Sequence, residues 1–170
     1  AFGGDLGYVG VVNDSNFCSN GLVAADRTLH PHIFEVKKVM QYIHFEPVQF
    51  SKNQIRVTNR HDFINLNKYD LQWTIECDGE IIQKGTMNFP LLPAGKTTII
   101  TLPIQTLPNN GREYFLTLRV FTKEAEALVP KGHEVAVEQW QLPTIEVTPN
   151  IIPTQGSLIV EQNTENVILT

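Results

Sequence analysis

Between Asn16 and His32 the chain gathers many of the side chains that could do chemistry. Asn16, Cys18, Ser19 and Asn20 bring an amide, a thiol, a hydroxyl and a second amide. Asp26 and Arg27 bring opposite charges, and His30 and His32 flank Pro31. Each familiar arrangement of such groups can be tested on spacing. The five histidines include no His-x-x-x-His pair on a helix, so a histidine metal triad is not expected. Cys18 and Cys77 lie far apart and in unlike contexts, which favours neither a zinc site nor a disulfide framework. Ser15 and Ser19 lack the Gly-x-Ser-x-Gly elbow of a nucleophilic serine. Gly4, Gly7 and Gly10 fit neither the dinucleotide fingerprint nor the phosphate loop, and no strand-then-helix pattern surrounds them. Glu76, Asp78 and Glu80 fall at a hairpin tip and read as solvated, as do Glu124 and Glu126. A paired-carboxylate site needs one group raised by an apolar setting, and the sequence offers none.

The elements that must position these residues change character along the chain. Residues 1–29 are rich in Gly, Asn and Asp, which tolerate positive φ, and read as loop. From Pro31 to about Ile43, the residues Ile33, Val36, Met40 and Ile43 recur at helical spacing, with Pro31 in the first turn. From His44 the period drops to two. Gln54–Asn59 and Leu71–Cys77 alternate, and Asp78-Gly79 signals a hairpin returning through Ile81–Gly85. Thr97–Leu102, Glu113–Phe121 and Glu134–Leu142 follow, divided by Pro90, Pro93, Gly95 and Pro130-Lys131-Gly132. About seven short strands in roughly 100 residues is the pattern of an immunoglobulin-like sandwich, with Trp73 as a core tryptophan. Residues 149–170 read as a linker running into another unit.

Composition narrows the classes. The 170 residues are 42% hydrophobic and 18% charged, enough to form a packed core. A net charge of −5 without a basic block argues against nucleic acid or an anionic membrane surface as partner. No apolar run nears the roughly 18 residues of a membrane span. The start on Ala1, without Met or a leader, suggests a piece of something longer and leaves the compartment open.

Gly3-Gly4-Asp5, Asn13-Asp14, Asn16 through Val23, Asp26-Arg27-Thr28, His30-Pro31 and Glu35-Val36-Lys37 together resemble the β-galactosidases of glycoside hydrolase family 2. The likeness runs on to Gly132-His133 and Gln139-Trp140. It implies that residues 1–43 are the end of a TIM-barrel catalytic domain, loop plus last helix. Residues 44–148 would be the second immunoglobulin-like domain of such an enzyme, and 149–170 the start of a following β-domain. The fold class is then mainly β, a sandwich preceded by a loop and one helix left from a barrel. The parent would hydrolyse terminal β-galactosides with retention, using two glutamates from earlier barrel strands, so this chain alone would be inactive.

The resemblance also implies site residues. The position of Phe17 supplies a backbone carbonyl, and that of Asn20 a side-chain oxygen, to a sodium ion; Asn13 falls near a magnesium ion. Oxygen ligands suit such hard cations, but these few would not hold an ion tightly without the rest of the barrel. Taken by themselves, Phe17 reads as a hydrophobic plug and Asn20-Gly21 as a turn, with Asp26 and Arg27 structural. Leu29 stands where the family has proline, and the loop around residues 8–12 is longer. The partners implied are the galactoside, for the parent, and other domains of the same chain. The helix, stripped of a barrel, is expected to fold back on the sandwich or pair with a second copy. Two alternatives remain: a free-standing immunoglobulin-like carbohydrate-binding module with an exposed aromatic row, and a family 2 enzyme of another sugar preference, such as a glucuronidase-like one.

Overall fold

A computed structural model describes residues 10, 12, 21–108, 110–143, 160–163 and 165–169. One helix, α1 (His32–Val39), precedes seven antiparallel strands: β1 (Ile43–Gln49), β2 (Gln54–Asn59), β3 (Tyr69–Cys77), β4 (Glu80–Asn88), β5 (Thr97–Thr101), β6 (Tyr114–Thr122) and β7 (Glu134–Gln141). A separate hairpin, β8 (Val160–Gln162) with β9 (Val167–Leu169), follows. The seven strands form two sheets, ordered β1-β2-β5 and β4-β3-β6-β7. This is the two-sheet sandwich that the alternation implied, with β4 paired to β3 in a four-stranded sheet.

The core follows from period-two burial. In β3, Tyr69, Leu71, Trp73, Ile75 and Cys77 all point inward, and in β6 so do Tyr114, Leu116, Leu118 and Val120. Ile55, Val57 and Ile100 face them from the other sheet. The Asp78-Gly79 turn has φ of 51° and 82°, the doubly positive geometry that matches strand twist in a two-residue hairpin. Gly85 lies opposite Trp73 in the ladder, where a Cβ would stand 2.7 Å from the indole ring. Only glycine leaves room for that tryptophan.

The helix is shorter than its apolar spacing suggested. It ends at Val39, with Met40 as its cap, and Ile43 begins β1 instead. Ile43 pairs with Asn59 and is 1% exposed. Its match to the helical period was coincidental, because ladder pairing and burial in the sandwich outweigh one more turn of a short helix. Pro31 sits one place earlier than the first helical residue, with αR dihedrals. No residue of α1 is buried.

Every strand end can be assigned to one of two ends of the sandwich from the ladders. The entry into β1 and the connections 60–68, 89–96 and 123–133 share one end. Connections 50–53, 78–79 and 102–113 and the exit from β7 share the other. Asn59, fully buried at the first end, holds two of those connections: its amide donates to the carbonyls of Ile64 (2.8 Å) and Leu92 (2.9 Å), and its side-chain oxygen accepts from the His61 N–H.

Candidate functional site

Asn13, Phe17 and Asn20, the residues implied as ion ligands, lie outside the described residues, as does Cys18. The part of their loop that is described, Gly21 to His30, closes on itself. Val23 and Leu29 form a bridge, and the N–H of Ala24 reaches the Thr28 carbonyl at 2.9 Å. Arg27 takes the left-handed conformation, φ 71°, to make the turn. Asp26 accepts hydrogen bonds from the Thr28 N–H (3.0 Å) and hydroxyl (2.7 Å), which hold its carboxyl below the usual carboxylate range. It forms no ion pair with Arg27, so the pair shapes the loop through the backbone and Thr28. His30 Nδ1 and His32 Nε2 both donate to the Gly21 carbonyl, at 2.7 and 3.2 Å, tying the loop to the start of α1. These histidines are spent on loop geometry. Among the described residues no cluster of three His, Cys, Asp or Glu could hold a metal.

The helix is fixed to the sandwich by polar side chains. Val137 of β7, at the margin of the four-stranded sheet, has both backbone groups taken up by the helix segment. Gln41 Oε1 accepts its N–H at 3.1 Å, and Lys38 Nζ donates to its carbonyl at 2.6 Å. Lys38 also pairs with Glu138 at 2.6 Å, and that carboxylate stands opposite Leu118 in the ladder, among otherwise inward-facing positions. The period of α1 pointed to Ile33, Val36 and Met40 as the docking side; Ile33 and Val36 are half-buried but Met40 is 69% exposed, and the bonds that tie the helix to the sandwich are polar, from Lys38 and Gln41. The available signal was Glu138, a charge on the core-facing phase of β7 between Ala136 and Trp140, which required a cation from elsewhere.

Above this seam an imidazole is stacked between two phenols. His61 lies 4.9 Å from the Tyr42 ring at 13°, and 6.0 Å from that of Tyr69 at 16°. Burial, and the Lys68 charge nearby, push its pKa below the ordinary histidine value, while burial pushes the Tyr69 phenol up. A hollow of about 350 Å³ opens beside the stack, lined by Met40, Tyr42, His61, Tyr69, Val129 and His133 among others. A second of about 350 Å³, at the opposite end, is walled by Phe50, Asn53, Ile104, Leu107 and Leu142 and holds no ionisable group.

Two carboxyls about 5–5.5 Å apart are what a retaining glycosidase requires. The two hollows above, the one beside Lys38 and Val137 and the one beside Asp70 and Asn88 each hold at most one carboxylate. Glu76 departs from the solvated reading: it is half-buried and bonded by the Thr74 hydroxyl at 2.8 Å. Asp78 is solvated and loosely paired with Arg112. Nor do the tryptophans form an exposed platform, since Trp73 is buried and Trp140 packs edge-on against Phe50. No helix among the described residues is long and apolar enough to cross a membrane.

Residues 55–143 match the family described as "Beta-galactosidase, domain 4", and residues 1–45 match "Glycosyl hydrolases family 2, TIM barrel domain". Over its whole length the chain is 37% identical to a β-galactosidase of Priestia megaterium. Over 84% of its length it is 36% identical to one of Erwinia tasmaniensis and 35% identical to one of Klebsiella pneumoniae. The chain spans 16%, 14% and 14% of the length of these relatives. Sandwich, loop and matches agree: the chain belongs to the β-galactosidases of glycoside hydrolase family 2.

Proposed function

We propose that this chain is the segment of a β-galactosidase that joins the end of its catalytic barrel to the domain beyond. The parent hydrolyses terminal β-D-galactosides with retention, and both of its glutamates come from barrel strands outside this chain. The observation that carries the reading is the order of the two family matches, barrel end then domain 4, along a chain aligned throughout to one such enzyme. The segment's own work is mechanical: the sandwich spaces and packs the flanking domains, and the loop reaches the rim of the active site.

At that rim, Phe17 through its carbonyl and Asn20 through its amide oxygen would help hold sodium, with Asn13 near magnesium. The donors fit hard, oxygen-seeking cations, which would coordinate and orient hydroxyls of the sugar. The decisive experiment is a nitrophenyl-galactoside assay of the 170-residue chain beside the parent enzyme. Turnover by the parent only is expected; comparable turnover by the chain alone would overturn the reading.

A further inference from the structure

Three nearly bare apolar side chains mark one end of the sandwich. Phe63, Leu91 and Leu128 are 98%, 72% and 96% exposed, and each stands in a different connection of the end at which the chain enters β1. At the opposite end, the described parts of connections 50–53, 78–79 and 102–113 carry no exposed large hydrophobic residue, and the apolar side chains nearest them on the strands, Val48, Ile81 and Ile82, are only 40–57% exposed. The difference between the ends is not one of loose loops. Asn59 binds the Phe63 and Leu91 connections together through Ile64 and Leu92, and the Leu92 N–H donates to Asn65 Oδ1 at 3.0 Å. The Leu128 connection is braced by the Lys68–Glu126 ion pair and by Lys123 Nζ donating to the Asn67 carbonyl at 2.8 Å. Backbone is thus held in place while the apolar tips are left to water, the arrangement of a surface made to be covered.

We infer that these three connections, Phe63, Leu91 and Leu128 at their tips, form the face on which the barrel of the same polypeptide sits. The inference rests on the family reading given above. The occupant follows from continuity. The segment matching the barrel, residues 1–45, enters the sandwich at this end and no other. The helix ends there, and its exposed cap Met40 lines the hollow beside Tyr42, His61 and Val129 at that end. The chain is only 16% of its Priestia megaterium relative, so most of the barrel lies outside it. Burying leucine and phenylalanine side chains is favourable in proportion to the apolar area removed from water, so three anchored tips make a firm contact for a domain already tethered beside them.

The test places p-benzoylphenylalanine at Phe63, and separately at Leu128, in the full-length parent, and maps the cross-links by mass spectrometry after irradiation. Cross-links to sequence preceding Ala1 at both positions are expected, together with at least fivefold slower hydroxyl-radical oxidation of Phe63 and Leu128 in the parent than in the 170-residue chain. Ile99, exposed on β5, serves as the reference whose oxidation should not change. Cross-links to sequence following Thr170, cross-links to a second copy, or unprotected tips would overturn the inference. Galactosidase activity of the same preparation reports separately on the family reading: an active parent with uncovered tips refutes the docking face alone, whereas an inactive parent refutes the reading beneath it.

Discussion

Asn59 makes three hydrogen bonds from a fully buried position, each to backbone of a connection that has no strand partner there. Replacing it with alanine leaves the Ile64 carbonyl and the His61 N–H without their partner, at about 1–3 kcal/mol for each buried group left unsatisfied, while the Leu92 carbonyl keeps the Leu66 N–H at 3.2 Å. Asn59→Ala should therefore lose at least about 2 kcal/mol in urea unfolding, and Asn59→Asp, which keeps the acceptor but not the donors, should fall nearly as far. Gly85→Ala meets Trp73 at 2.7 Å and should cost about 1–3 kcal/mol as overpacking, with a changed tryptophan emission. His61 gives a pH signature. Its folded pKa lies below the unfolded value, so the unfolded chain binds the extra proton first. Stability from this group is complete above the ordinary histidine pKa, about 6.5, and is lost as pH falls through the lowered folded value. Melting temperature should drop between pH 7 and pH 5 in the wild type, and less in His61→Phe.

Among the elements, α1 is the one whose attachment the residues explain least through hydrophobicity. Lys38→Met removes a donor from the Val137 carbonyl and strips Glu138 of its cation. With both side chains partly exposed, a loss of about 1–2 kcal/mol is expected, below that for a fully buried pair. Adding Glu138→Leu should recover most of it, and a double-mutant cycle measures the coupling. This seam also shows what the sequence could and could not convey. β2, β3 and the Asp78-Gly79 hairpin were legible because alternation and turn chemistry act between near neighbours. Lys38 and Glu138 are 100 residues apart, and their meeting depends on β1 and β7 lying at neighbouring margins of different sheets. The end of α1 was misread for the same reason, since Ile43 answers to Asn59 across a ladder, not to Met40 along a helix. The ion ligands Asn13, Phe17 and Asn20 have no local signal beyond oxygen-bearing groups in a loop, and rest on family likeness.

At the scale of the molecule, the barest apolar residues of the sandwich, Phe63 and Leu128, stand with Leu91 at the end where the barrel-derived segment enters, and that segment adds Phe34, Val39 and Met40, while Val48, Ile81, Ile82 and Ile99 are exposed to a lesser degree elsewhere. Detached from a parent, the chain should self-associate through that side. Sedimentation velocity over a range of concentrations should show a rising mean mass, suppressed by Phe34→Glu with Met40→Glu. A strictly monomeric chain with these residues fully solvated would contradict this expectation.

The Val137 contact bears on modularity. By family match the helix belongs to the barrel, yet its Lys38 and Gln41 occupy the outward hydrogen-bonding groups of the last strand of the sandwich. A domain cut at residue 45, where the barrel match ends, would follow the family boundary while uncovering an edge strand, the kind of template on which chains add to one another and aggregate. The inherited unit and the unit that stays soluble are therefore different lengths of the same polypeptide, and the second must begin before His32.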